Sequence, residues 1–474
     1  MKFSCTAKQF DAALDTVMGA IPSKPNHPIL ANVLLKASNQ TLEIGAFDLS
    51  LGITAHLEAS VEQEGAFTLP AKHLSNIISS LPKEEELSFT VKLDKQEATL
   101  TSAGKRYSFR GMAASEFPQL PTIEPSAGSS AILTASVLAR GLKTTLFATA
   151  SDETRLVLTG VRLTLEAERV EFAATNGKSL AIVKDSIHTN GDKQELSNNK
   201  KAKSNKRKSA SSSSTNLAIT IPKTALKELQ KLLGNPTESK DDFPVELLFN
   251  DTQIIFSGAN FTLVCRALAG NYPDYHQLIP STWSREVSVS SQQILAAVTR
   301  LATFDKHKII RLVLNQADQV LSLYVEGKDI GSGAESLPAL IHGEDFQIGF
   351  DADVLIPAIK AIPASELRFS FNKANHPATI NLPDSMLCNA TVLVMPVELC
   401  SETPKPSQSS QKQPPETPPT ALKESEVIDS EPLLDEPLSA PAMQIETKET
   451  EAVETESTFA QADDTDLELA ALPM

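Results

Sequence analysis

Cations set opposite apolar stripes are the residues of this chain best placed to meet a ligand. Lys8, Lys72, Arg140, Lys143, Lys231 and Lys360 lie roughly opposite the stripe centres of five amphipathic segments wound at about 100° per residue. On an open helix face such side chains neutralise phosphate oxygens without reading a base. The polar face of any solvated helix carries lysines, however, and Asp11, Asp15 and Glu228 share these faces. Covalent chemistry finds less support. The chain has no P-loop, no G-x-S-x-G, no H-E-x-x-H and no carboxylate cluster with metal spacing. Its eight histidines are scattered, and His27, His73 and His276 fall in turn or helix-start settings. Cys5, Cys265, Cys388 and Cys400 show no C-x-x-C or Cys/His ligand spacing, so they read as buried thiols of a reducing cytosol. The expectation is a protein without catalysis, metal or cofactor.

The elements that must carry these cations form a repeat. Residues 68–82 read TLPAKHLSNIISSLP, a strand end, a Pro-opened turn and a helix with Leu74, Ile77, Ile78 and Leu81 on one stripe. Two further copies follow, ITIPKTALKELQKLLG at 219–234 with Leu226, Leu229 and Leu233, and GFDADVLIPAIKAIP at 349–363 with Leu355, Ala358, Ile359 and Ile362. Each is followed by three β-patterned runs, such as LSFTVKL, ATLTSA and RYSFRGM after the first. A second set of helices precedes them, with stripes on Phe10, Ala13, Leu14 and Val17 and on Ile294, Ala297, Val298 and Leu301, and one near 134–148. The fold class is therefore α+β, three repeated domains each of two β-α-β-β-β units, with helices lining one face and sheets outside. The expected domains are 1–125, 126–281 and 282–399.

The first stripe residues Phe10, Leu74, Leu138, Leu226, Ile294 and Leu355 are spaced 64, 64, 88, 68 and 61 apart, so one interval is long by about 24. The excess coincides with residues 189–216, rich in Lys, Ser and Asn, with seven basic and two acidic side chains and no apolar period. It reads as a disordered basic insertion. From Cys400 onward the chain is rich in Pro, Ser, Thr and Glu and carries 17 acidic against 4 basic residues; this −13 accounts for most of the net −16 and leaves −3 on residues 1–399. A near-neutral body with an acidic, disordered tail at 400–474 leaves DNA open as a partner. The start, MKFSCTAKQF, lacks a signal-peptide layout and no 18-residue apolar run exists, so a cytoplasmic protein with no membrane contact is expected.

Residues 1–399, apart from the insertion, resemble the bacterial DNA polymerase III β subunit, the sliding clamp family. The resemblance rests on MKF at the start, KPNHPILANVLL from Lys24, TLPAKHL from Thr68, ATNGKSLA from Ala174, NYPDYHQLIP from Asn271 and VMPVEL from Val394, in this order. It implies a head-to-tail homodimer, a ring of six domains that encircles double-stranded DNA without sequence preference and acts as a processivity factor. The family's DNA-facing basic positions fall here on Lys24, Lys72 and Lys223. Where relatives carry a tyrosine pair, this chain has Leu156 and Val157.

The resemblance further implies a pocket for short peptides from the DNA polymerase III α subunit, the clamp loader and other proteins with a clamp-binding motif. Matched to this chain, it falls on Arg155, Leu158, Thr175, Gly177, Lys178, Leu180, Pro273, Gln277, Leu278, Leu393, Val394, Met395, Pro396, Val397 and Leu399. An apolar cleft of this kind accepts Leu and Phe anchors, with a few polar groups fixing register. Lys178-Ser179 stand for the family's usual His-Arg, Gln277 for an Arg and Glu398 for a basic residue, so peptide preference is expected to differ. The implied dimer interface places Tyr107 and Phe109, on a strand edge, against the region of Thr303 and Phe304. The tail's end, DDTDLELAAL, resembles an acidic-leucine peptide whose Leu467 and Leu469 visit the pocket. The rival reading is a repeat-built protein-interaction scaffold that never encircles DNA.

Overall fold

The computed structural model describes residues 1–124, 128–166, 168–186, 217–234, 242–327, 330–382 and 389–399. The readings made for 189–216 and for 400–474 lie outside these residues. Six α-helices of nine or more residues occur among them: α1 (Ala7–Met18), α2 (Ala71–Ser79), α3 (Ala135–Thr145), α4 (Lys223–Leu233), α5 (Ser291–Leu301) and α6 (Ala352–Ala361). The first, third and fifth of them start alike. Thr6, Thr134 and Ser290 cap α1, α3 and α5, each hydroxyl accepting from the backbone N–H three residues on. Such a cap contributes about 1 kcal/mol. α2 and α4 instead follow Pro70 and Pro222 with no side-chain cap, and α6 is capped by Asp351.

The helices pack as the pairs α1 with α2, α3 with α4 and α5 with α6. The stripes read from the sequence are buried throughout, except that Ile77 stands half-buried at the margin of its stripe. In the first pair the core holds Phe3, Phe10 and Phe89, with ring centroids 4.9 Å (Phe3–Phe89) and 5.0 Å (Phe10–Phe89) apart. Stacks of this kind add about 0.5–1.5 kcal/mol beyond their area burial.

Four antiparallel sheets enclose the pairs. The first runs Ser60–Gln63, Lys2–Thr6, Glu86–Lys92, Glu97–Ser102, Lys105–Arg110. The second has nine strands and crosses from the first repeat into the second where Leu51–Glu58 pairs with Phe261–Arg266, Ala55 opposite Phe261. The third also has nine, and crosses from the second repeat into the last where Ser179–Ser186 pairs with Asn389–Val394, Ser179 opposite Val394. The fourth has four strands, Gly331–Pro338, Val320–Gly327, Ile309–Asn315 and Phe346–Asp351. The five-stranded sheet thus ends on the open edge Lys105–Arg110 and the four-stranded sheet on the open edge Gly331–Pro338, among the described residues. Burial pushes the thiols of Cys5 and Cys265 up to about 12, with Glu86 adding to the effect at Cys5. Protonated and enclosed, these two thiols are poor nucleophiles.

Candidate partner-peptide pocket and DNA-facing helices

The third sheet brings the expected pocket residues together by simple alternation. Side chains of a strand point to opposite faces in turn, and directly paired residues share a face. Strands Gly160–Leu165, Arg169–Thr175, Ser179–Ser186 and Asn389–Val394 set Thr175 beside Leu180 and Leu180 beside Leu393. The next rows on this face are Arg162, Ala173 and Ile182, then Glu171 and Lys184. Ala173, Leu180, Ile182 and Leu393 are buried together with Tyr275, and half-buried Tyr272 and Ile279 pack against them. The segment from Tyr272 to Ile279 therefore lies across the outer face of the sheet and walls the Leu180–Leu393 floor.

The other wall is the end of the chain's last strand. Met395 N–H donates to the Lys178 carbonyl at 2.9 Å, and Val397 N–H donates to the Gly349 carbonyl at 2.8 Å. Gly349 is needed for this approach, since a Cβ there would stand 2.6 Å from a Leu399 methyl. Lys178 Nζ reaches Asp351 Oδ2 at 3.8 Å across the same junction. The turn before Lys178 is set by Asn176, whose side-chain oxygen accepts from the N–H groups of Lys178 and Ser179, and by Gly177 at φ +84°. Leu278 is 55% exposed and Met395 44%, large apolar groups left open to solvent. Pro396, Val397 and Leu399 are half-buried and Arg155 is exposed. Pro273 precedes a turn in which Asp274 accepts from Gln277 Nε2 at 2.7 Å.

Three further residues expected at the pocket are, like Leu180 and Leu393, buried. Val394 points to the opposite face from Leu393, into the main core, and is 0% exposed. Thr175 is buried with its hydroxyl committed to the Ser179 carbonyl at 2.8 Å. Leu158 is buried, whereas Leu156, two residues earlier, is 52% exposed. Tyr272, Tyr275, Glu171, Gly349 and Asp351 escaped the sequence reading. The signal for the tyrosines was present, since two of the four tyrosines of the whole chain fall within NYPDYHQLIP.

Among the expected phosphate contacts, Lys8, Lys72, Lys143, Lys231 and Lys360 are exposed on their helices, and Lys24 is exposed in the loop after α1. Lys231 pairs with Glu228 one turn back at 2.8 Å. Lys223, the first residue of α4, is half-buried, and burial followed by the neighbouring Lys227 holds its ammonium below the usual lysine value. Arg140 departs from expectation. Its guanidinium turns to the sheet and donates twice to Asp185 Oδ2, from Nε at 3.3 Å and Nη2 at 2.7 Å, because Asp185 is almost fully buried and needs a counter-charge.

Of the expected interface residues, Phe109 belongs to the core of its own chain, 7% exposed, because alternation turns Tyr107 and Phe109 inward and Arg106, Ser108 and Arg110 outward. Tyr107 is half-buried and Thr303 exposed. Phe304 lies beside the open edge strand, since a Cβ on Gly333 would stand 3.4 Å from its ring.

Paired helices between shared sheets, three times over, define a DNA-clamp fold. Models of the DNA polymerase III beta subunit match the chain at residues 1–121 (N-terminal domain), 132–203 (central domain) and 276–398 (C-terminal domain). The beta sliding clamp of Synechococcus elongatus is 36% identical over 405 residues, 85% of this chain and 100% of the relative. That of Synechocystis sp. is 35% identical over 408 residues, 84% and 100%. The crystal structure of the Bacillus subtilis DNA polymerase sliding clamp superposes with a TM-score of 0.73 at 24% identity, covering 84% of this chain and 100% of that one. A sliding clamp from Bartonella birtlesii bound to griselimycin gives 0.72 at 26% identity, with the same coverage. The chain belongs to the DNA polymerase III β subunit family, the beta sliding clamps. Its function is that of a DNA sliding clamp, and the scaffold reading is not favoured.

Proposed function

We propose that two copies of this chain close head to tail into a ring around duplex DNA and hold client proteins by peptides seated between the Tyr272–Ile279 segment and the chain's last strand. The observation that supports closure is the strand arithmetic. Both internal junctions are completed as nine-stranded sheets, while the ends carry sheets of five and four strands with open edges. Pairing Lys105–Arg110 of one copy with Gly331–Pro338 of the next makes a third nine-stranded sheet and removes both edges. Arg106 and Arg110 lie on one strand and Glu335, held by Arg300 of its own chain at 2.6 Å, on the other. Tyr107, Thr303 and Phe304 lie on or beside these edges and form part of the seam, whereas Phe109 supports it from within.

Inside such a ring, Lys8, Lys24, Lys72, Lys143, Lys223, Lys231 and Lys360 supply sequence-blind contacts to phosphate, and the ring itself supplies retention. The clients are the DNA polymerase III α subunit, the clamp loader and other proteins with a clamp-binding peptide. The pocket takes apolar anchors over Leu180 and Leu393 with Leu278 and Met395 at its rim. No catalytic step is assigned to the chain. Among the described residues no cluster of three or more His, Cys, Asp or Glu is placed to hold a metal, and no helix is long and apolar enough to cross a membrane. The cytoplasm is the proposed compartment.

Loading onto nicked circular DNA tests closure. After a high-salt wash, the protein is expected to stay on the circle and to leave when the circle is cut, since salt removes phosphate contacts but cannot unthread a ring. Loss in the wash alone refutes encirclement.

A further inference from the structure

We infer that Glu171 is a positioning residue for the peptide pocket, latching the Tyr272–Ile279 wall to the sheet through Tyr275. The inference rests on the pocket proposed above. The wall is a self-contained turn. Asp274 Oδ1 accepts from His276 N–H at 3.2 Å, Asp274 Oδ2 accepts from Gln277 Nε2, and Leu278 N–H donates to the Tyr275 carbonyl at 3.1 Å. A unit held by its own hydrogen bonds moves as a body, so its placement is decided by what ties it to the sheet.

Two tyrosines make that tie. Tyr272 Oη accepts from Thr175 N–H at 3.0 Å, at the end of strand Arg169–Thr175, with the Arg162 guanidinium over its ring at 5.9 Å. Tyr275 Oη donates a hydrogen bond to Glu171 Oε1, four residues back on the same strand and the same face. The Glu171 side chain is 13% exposed and also receives Lys184 Nζ at 3.0 Å and His276 Nε2 at 3.3 Å. A carboxylate with little access to water that collects a phenol, an ammonium and an imidazole is a fixed point rather than a surface charge. The Tyr275 ring, meanwhile, touches the pocket floor, being buried with Leu180 and Leu393. Glu171 therefore sets the height of the ring over the floor, and the exposed Leu278, three residues on, follows it.

The test uses the full-length protein and a fluorescein-labelled peptide of ten residues with one acidic side chain and a Leu-Phe end. Glu171→Gln and Tyr275→Phe are each expected to weaken binding about five- to tenfold, mainly in the dissociation rate, and the double variant to be no weaker than either single one, as for two halves of one latch. Loading passes through the same pocket, so retention is scored per ring already on the circle; it is expected to stay unchanged, which a merely structural role would not predict. Met395→Asp serves as the control for the pocket itself. Binding lost in Met395→Asp but kept within twofold in both latch variants overturns the latch and leaves the pocket standing. Binding unaffected by Met395→Asp overturns the pocket reading. Multiplicative losses in the double variant, or loss of DNA retention in Tyr275→Phe, also overturn the latch, because the residues would then act separately or hold the fold.

Discussion

Neighbouring residues of one strand take opposite parts here. Leu393 joins the small cluster under Tyr275, where the proposed pocket lies, and Val394 the main core, a difference of one position. Leu393→Ala is expected to weaken peptide binding while Val394→Ala lowers stability by about 2 kcal/mol and leaves affinity alone, since it deletes two buried methyl groups and leaves a void. Denaturant unfolding and peptide titration of the two variants check this, and exchanged roles would refute the register. Such a distinction was available from period-two alternation, yet a resemblance transfers motifs whole and carries both residues into the site together. Glu171 was invisible for another reason. A glutamate in VEFAAT reads as the polar side of a strand, and only the return of Tyr275, 104 positions later, shows that this side is covered.

At the scale of elements, the sequence is most legible where one helix meets one core. The apolar stripes of α1, α4, α5 and α6 are buried as their spacing requires, because 3.6-residue periodicity and burial are the same fact seen twice. The polar faces are less legible, since whether a cation on a helix looks outward depends on the charge beside it in space. Arg140 and Lys143, on one helix, show the difference. Arg140→Ala strands the nearly buried Asp185 carboxylate and is expected to cost about 2 kcal/mol of stability, discounted from the fully buried case because the guanidinium is 32% exposed. Lys143→Ala is expected to leave stability within about 0.5 kcal/mol but to reduce the salt dependence of DNA binding. Thermal melts and binding isotherms at several salt concentrations separate the two. Equal effects of the pair would mean that both cations face the same environment.

For the whole molecule, repetition carried the architecture: six helix stripes at near-regular intervals, each followed by a meander, are enough to count units before any contact is known. The sheet junctions were not legible. Which strand of one repeat pairs with which strand of the next depends on edges that look alike in sequence, and Leu51–Glu58 against Phe261–Arg266 joins segments some two hundred residues apart. That joining also governs how the molecule comes undone. Backbone hydrogen bonds of each central sheet belong to two repeats at once, so a repeat that loosens strips its neighbour of half a sheet and exposes a helix pair on both sides. The three repeats should therefore melt as a single cooperative unit, giving one calorimetric peak, which in the proposed two-copy ring shifts with protein concentration. Three separable peaks would mean that the shared strands are mere adjacency, and that the modular look of the sequence extends to its thermodynamics.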